Sequence, residues 1–232
     1  MKLNSSIYLI SIYPQFNRDL SPKFESFSSD YSLQLYSSLI FNHIEILNSV
    51  MKSHHIVYCF DERDKDFLPD KFNESQTDVI FGDTTNRTQI LRTLSEKYFG
   101  QSGKYLLIFS NSIGMNKADI QRVFNLLSID DEAVVIGRAK NNKAAFIGFN
   151  NFNQELFSDI DWNNCNYDYL LAKVNKHENF VHVLDNFMSI NNLEDFKNLY
   201  LELSKKESLT YCSPDMHEKF TNLFIEYKEL LK

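Results

Sequence analysis

Four carboxylate side chains lie within one six-residue segment in the first third of the chain. The β-rich apolar run 56–60 is followed directly by Asp61, Glu62, Asp64 and Asp66. Because α/β folds place ligand loops after the carboxyl ends of their strands, these oxygens could hold Mg²⁺. Arg63 and Lys65 interrupt the carboxylates, however, and charge runs of mixed sign are mostly solvated surface. We therefore favour a solvated acidic loop and keep a magnesium site as the alternative.

Two serines and one cysteine are the candidate nucleophiles. Ser110 and Ser112 follow an apolar run, but they lack the flanking glycines of a serine hydrolase elbow. Cys59 lies near the end of a predicted strand whose start is preceded by His54 and His55, so these side chains would point in different directions. We expect none of these residues to form a catalytic pair.

Phosphate-binding and metal-binding motifs are also missing from the sequence. Six scattered glycines match neither the dinucleotide fingerprint nor the P-loop spacing. No histidine pair has the three- or four-residue helical spacing that converges on a metal, and the three cysteines form no closely spaced pair. We therefore do not expect a dinucleotide-binding protein, a P-loop protein or a zinc-dependent enzyme.

Composition and charge limit the remaining classes of fold, partner and location. The 232 residues are 43% hydrophobic, with 20 Phe and 12 Tyr, which suits one globular domain over residues 1–232. A net charge of −7 without any basic cluster argues against a nucleic-acid partner. No apolar run reaches eighteen residues, so we expect no membrane span. Three widely spaced cysteines suit reduced thiols and a cytoplasmic location.

Apolar runs alternate with helical-period segments from one end of the chain to the other, and this pattern predicts an α/β fold. The predicted strands are residues 7–12, 56–60, 78–81, 105–109, 133–136, 144–149 and 180–184. The first predicted helix has Ser29 or Asp30 as its N-cap and a buried stripe from Leu35 to Met51. The other predicted helices are residues 86–98, 117–127, 167–176, 193–204 and 214–231.

Three of these elements carry specific predictions. The unbroken apolar run 105–109 is typical of a central strand, and strands 133–136 and 144–149 are expected to be antiparallel neighbours. Ser213 and Pro214 mark the start of an amphipathic closing helix within residues 213–232. Its apolar face should pack on the body of the domain or against a second copy of the chain, which would make a homodimer.

Four segments resemble, in order and spacing, the bacterial glycosyltransferase-like proteins of the nucleotide-diphospho-sugar transferase superfamily. They lie within roughly residues 104–200 and read YLLIFSNSIGM (105–115), VVIGRAKNNKAAFIGF (134–149), LFSDIDW (156–162) and SINNLEDFKNL (189–199). The resemblance implies the GT-A fold, a three-layer α/β/α sandwich around a Rossmann-like mixed sheet. It also implies a nucleotide or nucleotide-sugar as ligand.

In that family, aspartates in three of these segments hold a divalent cation against the diphosphate of the nucleotide-sugar. Matched residue on residue, Asn111, Asn141 and Asn191 stand where this family has those aspartates. Arg87 is a match to a family arginine, and Lys143 falls on a family glycine. Because an amide oxygen is a neutral and weaker ligand for Mg²⁺ or Mn²⁺, the resemblance implies that the divalent metal site is lost and that no cofactor is held.

Two function classes remain open from the sequence. The first is a non-catalytic relative that binds a ligand or a partner, and we favour this one. The alternative is an active, metal-independent glycosyl- or nucleotidyltransferase that uses a nucleotide-sugar donor. In that case Arg87, Arg138 or Lys143 would supply the positive charge for the diphosphate. For either class we expect Asn111, Asn141 and Asn191 to border the ligand site. The catalytic residues are not assigned.

Overall fold

Strands and helices alternate along the chain, as the apolar runs predict. The computed structural model describes residues 5–72, 78–99, 103–151 and 153–231. The strands are β1 (Ser5–Ile10), β2 (His55–Asp61), β3 (Asp78–Gly82), β4 (Lys104–Phe109), β5 (Ser112–Ile113), β6 (Ala133–Ala139), β7 (Ala144–Asn150) and β8 (Phe180–Ser189). The helices are α1 (Ser29–Asn48), α2 (Arg87–Tyr98), α3 (Lys117–Leu126), α4 (Gln154–Asp159), α5 (Tyr167–Lys176), α6 (Leu193–Leu203) and α7 (Pro214–Glu226).

The described strands form one mixed sheet in the order β3-β2-β1-β4-β7-β6-β8-β5. The first four strands in that order run parallel, so the carboxyl ends of β1, β2, β3 and β4 lie at one edge, here called the carboxyl edge. β7 is antiparallel to both β4 and β6. The predictions of a central strand over 105–109 and of an antiparallel pair after it are therefore confirmed.

Helices cover both faces of the sheet, which confirms the predicted three-layer α/β/α class. One buried apolar cluster joins the sheet to α1 and α3 through residues such as Ile44 and Val123. The other joins it to α2, α4 and α5 through residues such as Leu91 and Val174. Strand β4 contributes to both clusters, and its apolar side chains are at most 4% exposed. Burial on both faces explains why its sequence is continuously apolar.

A third apolar cluster attaches the closing helix to the body of the domain. Met216, Phe220, Leu223 and Phe224 of α7 are buried against α1, α6 and the segment before α1. Just beyond the helix, the Tyr227 ring stacks on Phe27 with centroids 3.7 Å apart. The apolar face of α7 is thus covered within one chain. No helix in the described ranges has both the length and the apolar content needed to cross a bilayer.

Several elements differ from the sequence predictions. The N-cap of α1 is Ser28, whose Oγ accepts from the Tyr31 N–H. The helix therefore begins one residue earlier than a predicted N-cap at Ser29 would place it. β8 runs to Ser189, beyond the predicted end at residue 184, with a register irregularity opposite β6. β5 and α4 were not predicted, because two and six residues are too short to show a period.

Truncation of one α7 side chain should show how much this packing stabilises the fold. Phe220 is 0% exposed, so Phe220→Ala should lower the free energy of unfolding by about 3 to 5 kcal/mol through lost burial and the cavity left behind. Ile225→Ala is the matched control on the same helix, where the side chain is 64% exposed, and it should change stability by less than about 0.5 kcal/mol. Urea denaturation of both variants measures the difference. An equal loss in the free energy of unfolding for the two variants would show that α7 does not pack as described.

Candidate functional site

Three loops converge on one serine beside the carboxyl edge. Asn111 follows β4, Asn141 lies between β6 and β7, and Ser189 ends β8. The Asn111 amide nitrogen donates to Ser189 Oγ at 3.0 Å and to Asn191 Oδ1 at 2.8 Å. The Asn141 amide nitrogen donates to the Ser189 carbonyl oxygen at 2.7 Å. We refer to Asn111, Asn141, Ser189 and Asn191 as the Ser189 cluster.

Bonds from Asn191 and from the backbone close the cluster. The Asn191 amide nitrogen donates to the carbonyl oxygen and to Oγ of Ser189, each at 3.0 Å. The Ile190 N–H donates to the Asn111 carbonyl oxygen at 2.8 Å. The structure thus brings together the three asparagines that the sequence singled out, and their amide N–H groups all face the oxygens of Ser189.

Two turns with positive φ hold the loops in this arrangement. Gly114 has φ of 109° directly after β5, where most side chains would be strained, and it turns the chain from β5 toward α3. Asn142 has φ of 59° in the turn between β6 and β7. Asparagine tolerates this left-handed conformation better than most residues do.

The start of α6 fixes Asn191. Asn192 caps the helix by accepting from the Asp195 N–H at 2.9 Å, and the Asp195 carboxylate accepts from the Asn191 N–H at 2.9 Å. The Asp195 carboxylate therefore fixes the backbone of Asn191. Glu194, in the same helical turn, is exposed and lines an adjacent cavity of about 170 Å³ together with Lys140, Asn141 and Ser189.

Helix α1 supports the cluster through a buried histidine. His43 is 2% exposed, and its Nε2 donates to the Ser112 carbonyl oxygen at 2.7 Å. Burial lowers the pKa of His43 to about 4, against the opposing effect of that hydrogen bond. At neutral pH the ring is therefore uncharged. Because Ser112 follows Asn111 directly, His43 fixes the backbone from which the Asn111 side chain projects.

The candidate nucleophiles are enclosed in the fold. Ser110, Ser112 and Cys59 are at most 3% exposed. Ser112 Oγ donates to the Phe109 carbonyl oxygen at 2.7 Å, so its contact with His43 does not produce a base-activated hydroxyl. Burial raises the pKa of the Cys59 thiol well above its usual range. These residues serve the packing at the strand ends.

The three basic residues singled out by the sequence make their contacts outside the Ser189 cluster. The Arg87 guanidinium donates to the carbonyl oxygens of Ile12, Trp162 and Asn163 at 3.4, 3.0 and 2.6 Å. The guanidinium of Arg138 lies over the Tyr167 ring, 4.9 Å from its centroid. The backbone of Lys143 forms a β-bridge with Asn166. In the described part of the chain, none of the three side chains is hydrogen-bonded to the cluster.

The prediction of a solvated acidic loop is wrong for two of its four residues. Asp61 and Asp64 are 0% exposed. Asp61 pairs with Arg63 at 2.6 Å and accepts from the Thr84 N–H at 3.1 Å. Burial alone would raise the pKa of Asp61, but the bonds from Arg63 and Thr84 outweigh it and hold the pKa at about 2. Arg63 belongs to the same charged run, but Thr84 lies 23 residues away, so the charge pattern alone could not reveal the full set of partners.

Asp64 is bonded to the segment that follows β1. Its carboxylate accepts the backbone N–H groups of residues 15, 16 and 17 at 2.7, 2.9 and 2.8 Å. Burial raises the pKa of Asp64, and the three N–H bonds oppose that rise. Because the bonded residues are 47 to 49 positions away in the sequence, the residues around Asp64 give no indication of this contact.

The donor set of the Ser189 cluster suits hydrogen bonding better than metal binding. Its three side-chain nitrogens point at Ser189, and its members offer only neutral oxygens. Ca²⁺, Mg²⁺ and Mn²⁺ sites depend on anionic oxygen ligands. Over residues 5–72, 78–99, 103–151 and 153–231, no group of three His, Cys, Asp or Glu side chains is placed to hold a metal ion.

Comparison with solved structures relates this architecture to known folds. A protein assigned as a nucleotide-diphospho-sugar transferase from Desulfovibrio desulfuricans G20 superposes with a TM-score of 0.69 at 18% identity. The match covers 98% of this chain and 99% of that one. This chain has a nucleotide-diphospho-sugar transferase-like fold. No protein-family model and no curated protein sequence matches it.

Two structures with the same kind of fold are nucleotidyltransferases. The 4-diphosphocytidyl-2C-methyl-D-erythritol synthase of Anaerococcus prevotii DSM 20548 has a TM-score of 0.53 at 13% identity, covering 86% of this chain and 99% of its own. CMP:2-keto-3-deoxy-manno-octonic acid synthetase, solved with CTP, has a TM-score of 0.53 at 5% identity, covering 87% and 98%. The nucleotide-diphospho-sugar transferase-like fold therefore extends over nearly the whole chain.

The buried His43 predicts a pH dependence of stability. Its folded pKa lies below the 6.5 of a free histidine, so the unfolded chain binds the proton first as the pH falls. The stabilisation is complete above pH 6.5 and is lost progressively down to pH 4, with a total of about 3 kcal/mol.

Replacement of His43 by a residue that does not titrate isolates this effect. His43→Gln keeps an N–H donor for the Ser112 carbonyl, so its free energy of unfolding should fall less steeply than that of the native protein between these pH values. Urea denaturation at a series of pH values measures both curves. Parallel curves would mean that His43 does not change its protonation state on unfolding.

Proposed function

We propose that this protein binds a nucleotide or nucleotide-sugar, without metal-dependent catalysis, in the cleft bordered by the Ser189 cluster. The observation that carries the proposal is the convergence of three asparagine amides on Ser189. In this chain, hydrogen bonds connect the loops that carry Asn111, Asn141 and Ser189. In the resembling family, aspartates and a bound cation would connect the corresponding loops. The protein is thus a divergent nucleotide-diphospho-sugar transferase-like homologue that acts by binding.

The fold supports a nucleotide as ligand. In open α/β sheets, ligands bind beyond the carboxyl ends of the parallel strands, where Asn111 and the segment after β1 lie. One structure with this fold was solved with CTP bound, although it shares only 5% identity with this chain. The cavity beside the cluster is lined by polar side chains that can bind hydroxyl groups, among them Asn141, Glu194 and Asn198.

The charge balance supports binding without a metal. Replacing three carboxylates by amides removes three negative charges that would attract a divalent cation. Arg87 is already bonded to three carbonyl oxygens, whereas Arg138 is exposed and Lys143 is half-buried. We therefore assign the charge that meets a ligand diphosphate to Arg138 and Lys143.

Ligand-dependent thermal stabilisation tests the binding. Nucleoside diphosphates and nucleotide-sugars should raise the melting temperature by the same amount in EDTA and in Mn²⁺, because a ligand that binds only the folded state stabilises it. Lys143→Ala should reduce this shift. Lys52→Ala, an exposed lysine at the opposite edge of the sheet, should leave it unchanged. A shift that requires Mn²⁺ would contradict the proposal, and turnover of a nucleotide-sugar in EDTA would favour the metal-independent transferase instead.

Restoring carboxylates tests the metal argument directly. The triple variant Asn111→Asp, Asn141→Asp, Asn191→Asp should be less stable than the native protein in EDTA, because the three charges repel one another. It should also bind Mn²⁺ measurably in a calorimetric titration, whereas the native protein should not. A stoichiometric site of micromolar affinity in the native protein, abolished by Asn111→Ala, would show that the metal site is intact.

A further inference from the structure

The segment that follows β1 is held by a carboxylate from another part of the chain. Asp64 lies in the 3₁₀ segment Glu62–Phe67, directly after β2. Its Oδ2 accepts from the Gln15 N–H at 2.7 Å, and its Oδ1 accepts from the N–H groups of Phe16 and Asn17 at 2.9 and 2.8 Å. The Asp64 side chain is 0% exposed, so water does not share in these bonds.

Three successive N–H groups that converge on one anion form a concave binding site for oxyanions. Hydrogen bonds to a charged acceptor are about twice as strong as neutral ones, so the site favours a carboxylate or phosphate over a neutral group. Among the ion pairs of the described residues, none includes Asp64, and the neighbouring Arg63 pairs with Asp61 and Asp83. The backbone N–H groups are therefore the direct partners of the carboxylate, and they offset part of the cost of burying it.

The first residue of this concave site also carries a buried side-chain donor. The Gln15 side chain is 0% exposed, and its Oε1 accepts from Ser11 Oγ at 2.8 Å. Its Nε2 is buried and has no hydrogen-bond partner in the described structure. Buried amide donors nearly always have an acceptor, and this one has none among the described residues, so it is available to a ligand oxygen.

We propose that the backbone amides of residues 15–17 form an oxyanion site that Asp64 occupies as an internal ligand. The anions that fit the site are phosphate and small carboxylates. This inference does not depend on the proposed function, since it concerns a site that the native side chain fills.

Removal of the carboxylate should open the site. Asp64→Ala is expected to melt at a lower temperature than the native protein, and inorganic phosphate or formate should raise its melting temperature in a saturable manner. Chloride at matched ionic strength should not do so. Asp66→Ala is the matched control, since it removes the same charge from an exposed position in the same 3₁₀ segment. That variant and the native protein should respond equally and without saturation to phosphate, formate and chloride.

Spectra of the backbone locate any binding. In ¹⁵N-labelled Asp64→Ala, phosphate should shift the amide resonances of Gln15, Phe16 and Asn17 with the same saturation as the melting temperature. If Asp64→Ala does not fold in buffer, its refolding yield replaces the melting curve. Folded protein that forms only with phosphate or formate would support the proposal. An Asp64→Ala variant that responds to phosphate as Asp66→Ala does, or that refolds equally well in chloride, would overturn it.

Discussion

The hydrogen bonds that meet at Ser189 connect three chain segments that are far apart in the sequence. Asn111, Asn141 and Asn191 each reach this serine from a different loop, and the sequence separation between Asn111 and Asn191 is 80 residues. The amides of Asn111 and Asn191 can bond to one another because each has both donors and an acceptor. Carboxylates at the same three positions could only accept, and they would need a cation or other donors between them. The identity of these side chains is therefore the basis on which we propose a cleft without a metal.

Three buried acidic groups near the carboxyl edge are bonded to donors inside the fold. Asp61 binds Arg63 and the N–H of Thr84, Asp64 binds three backbone amides, and Asp195 binds the N–H of Asn191. Buried carboxylates are tolerated only with such partners. In each case the negative charge orders a loop of the chain. This common use of charge agrees with a cleft that positions loops by hydrogen bonding.

Much of the architecture could be predicted from the sequence, because burial on both faces and helical periodicity leave strong local patterns. Strand β4, the β6–β7 pair and helix α7 are such cases, and the three asparagines were singled out through a family resemblance. The contacts of Asp64 could not be predicted, since its partners lie 47 to 49 residues away and contribute backbone groups that have no sequence signature. The mixed charges around Asp64 instead favoured exposure, and tertiary hydrogen bonding overrode that pattern.

A double-mutant cycle between Asn111 and Asn191 tests most directly whether hydrogen bonds hold the cleft together. Asn111→Ala, Asn191→Ala and the double variant would be unfolded by urea in EDTA and again in Mn²⁺. Direct bonding between the two amides predicts a coupling energy of about 1 kcal/mol that is the same under both conditions. A coupling near zero in EDTA that becomes substantial only in Mn²⁺ would contradict the account and would place a cation at the centre of the cluster.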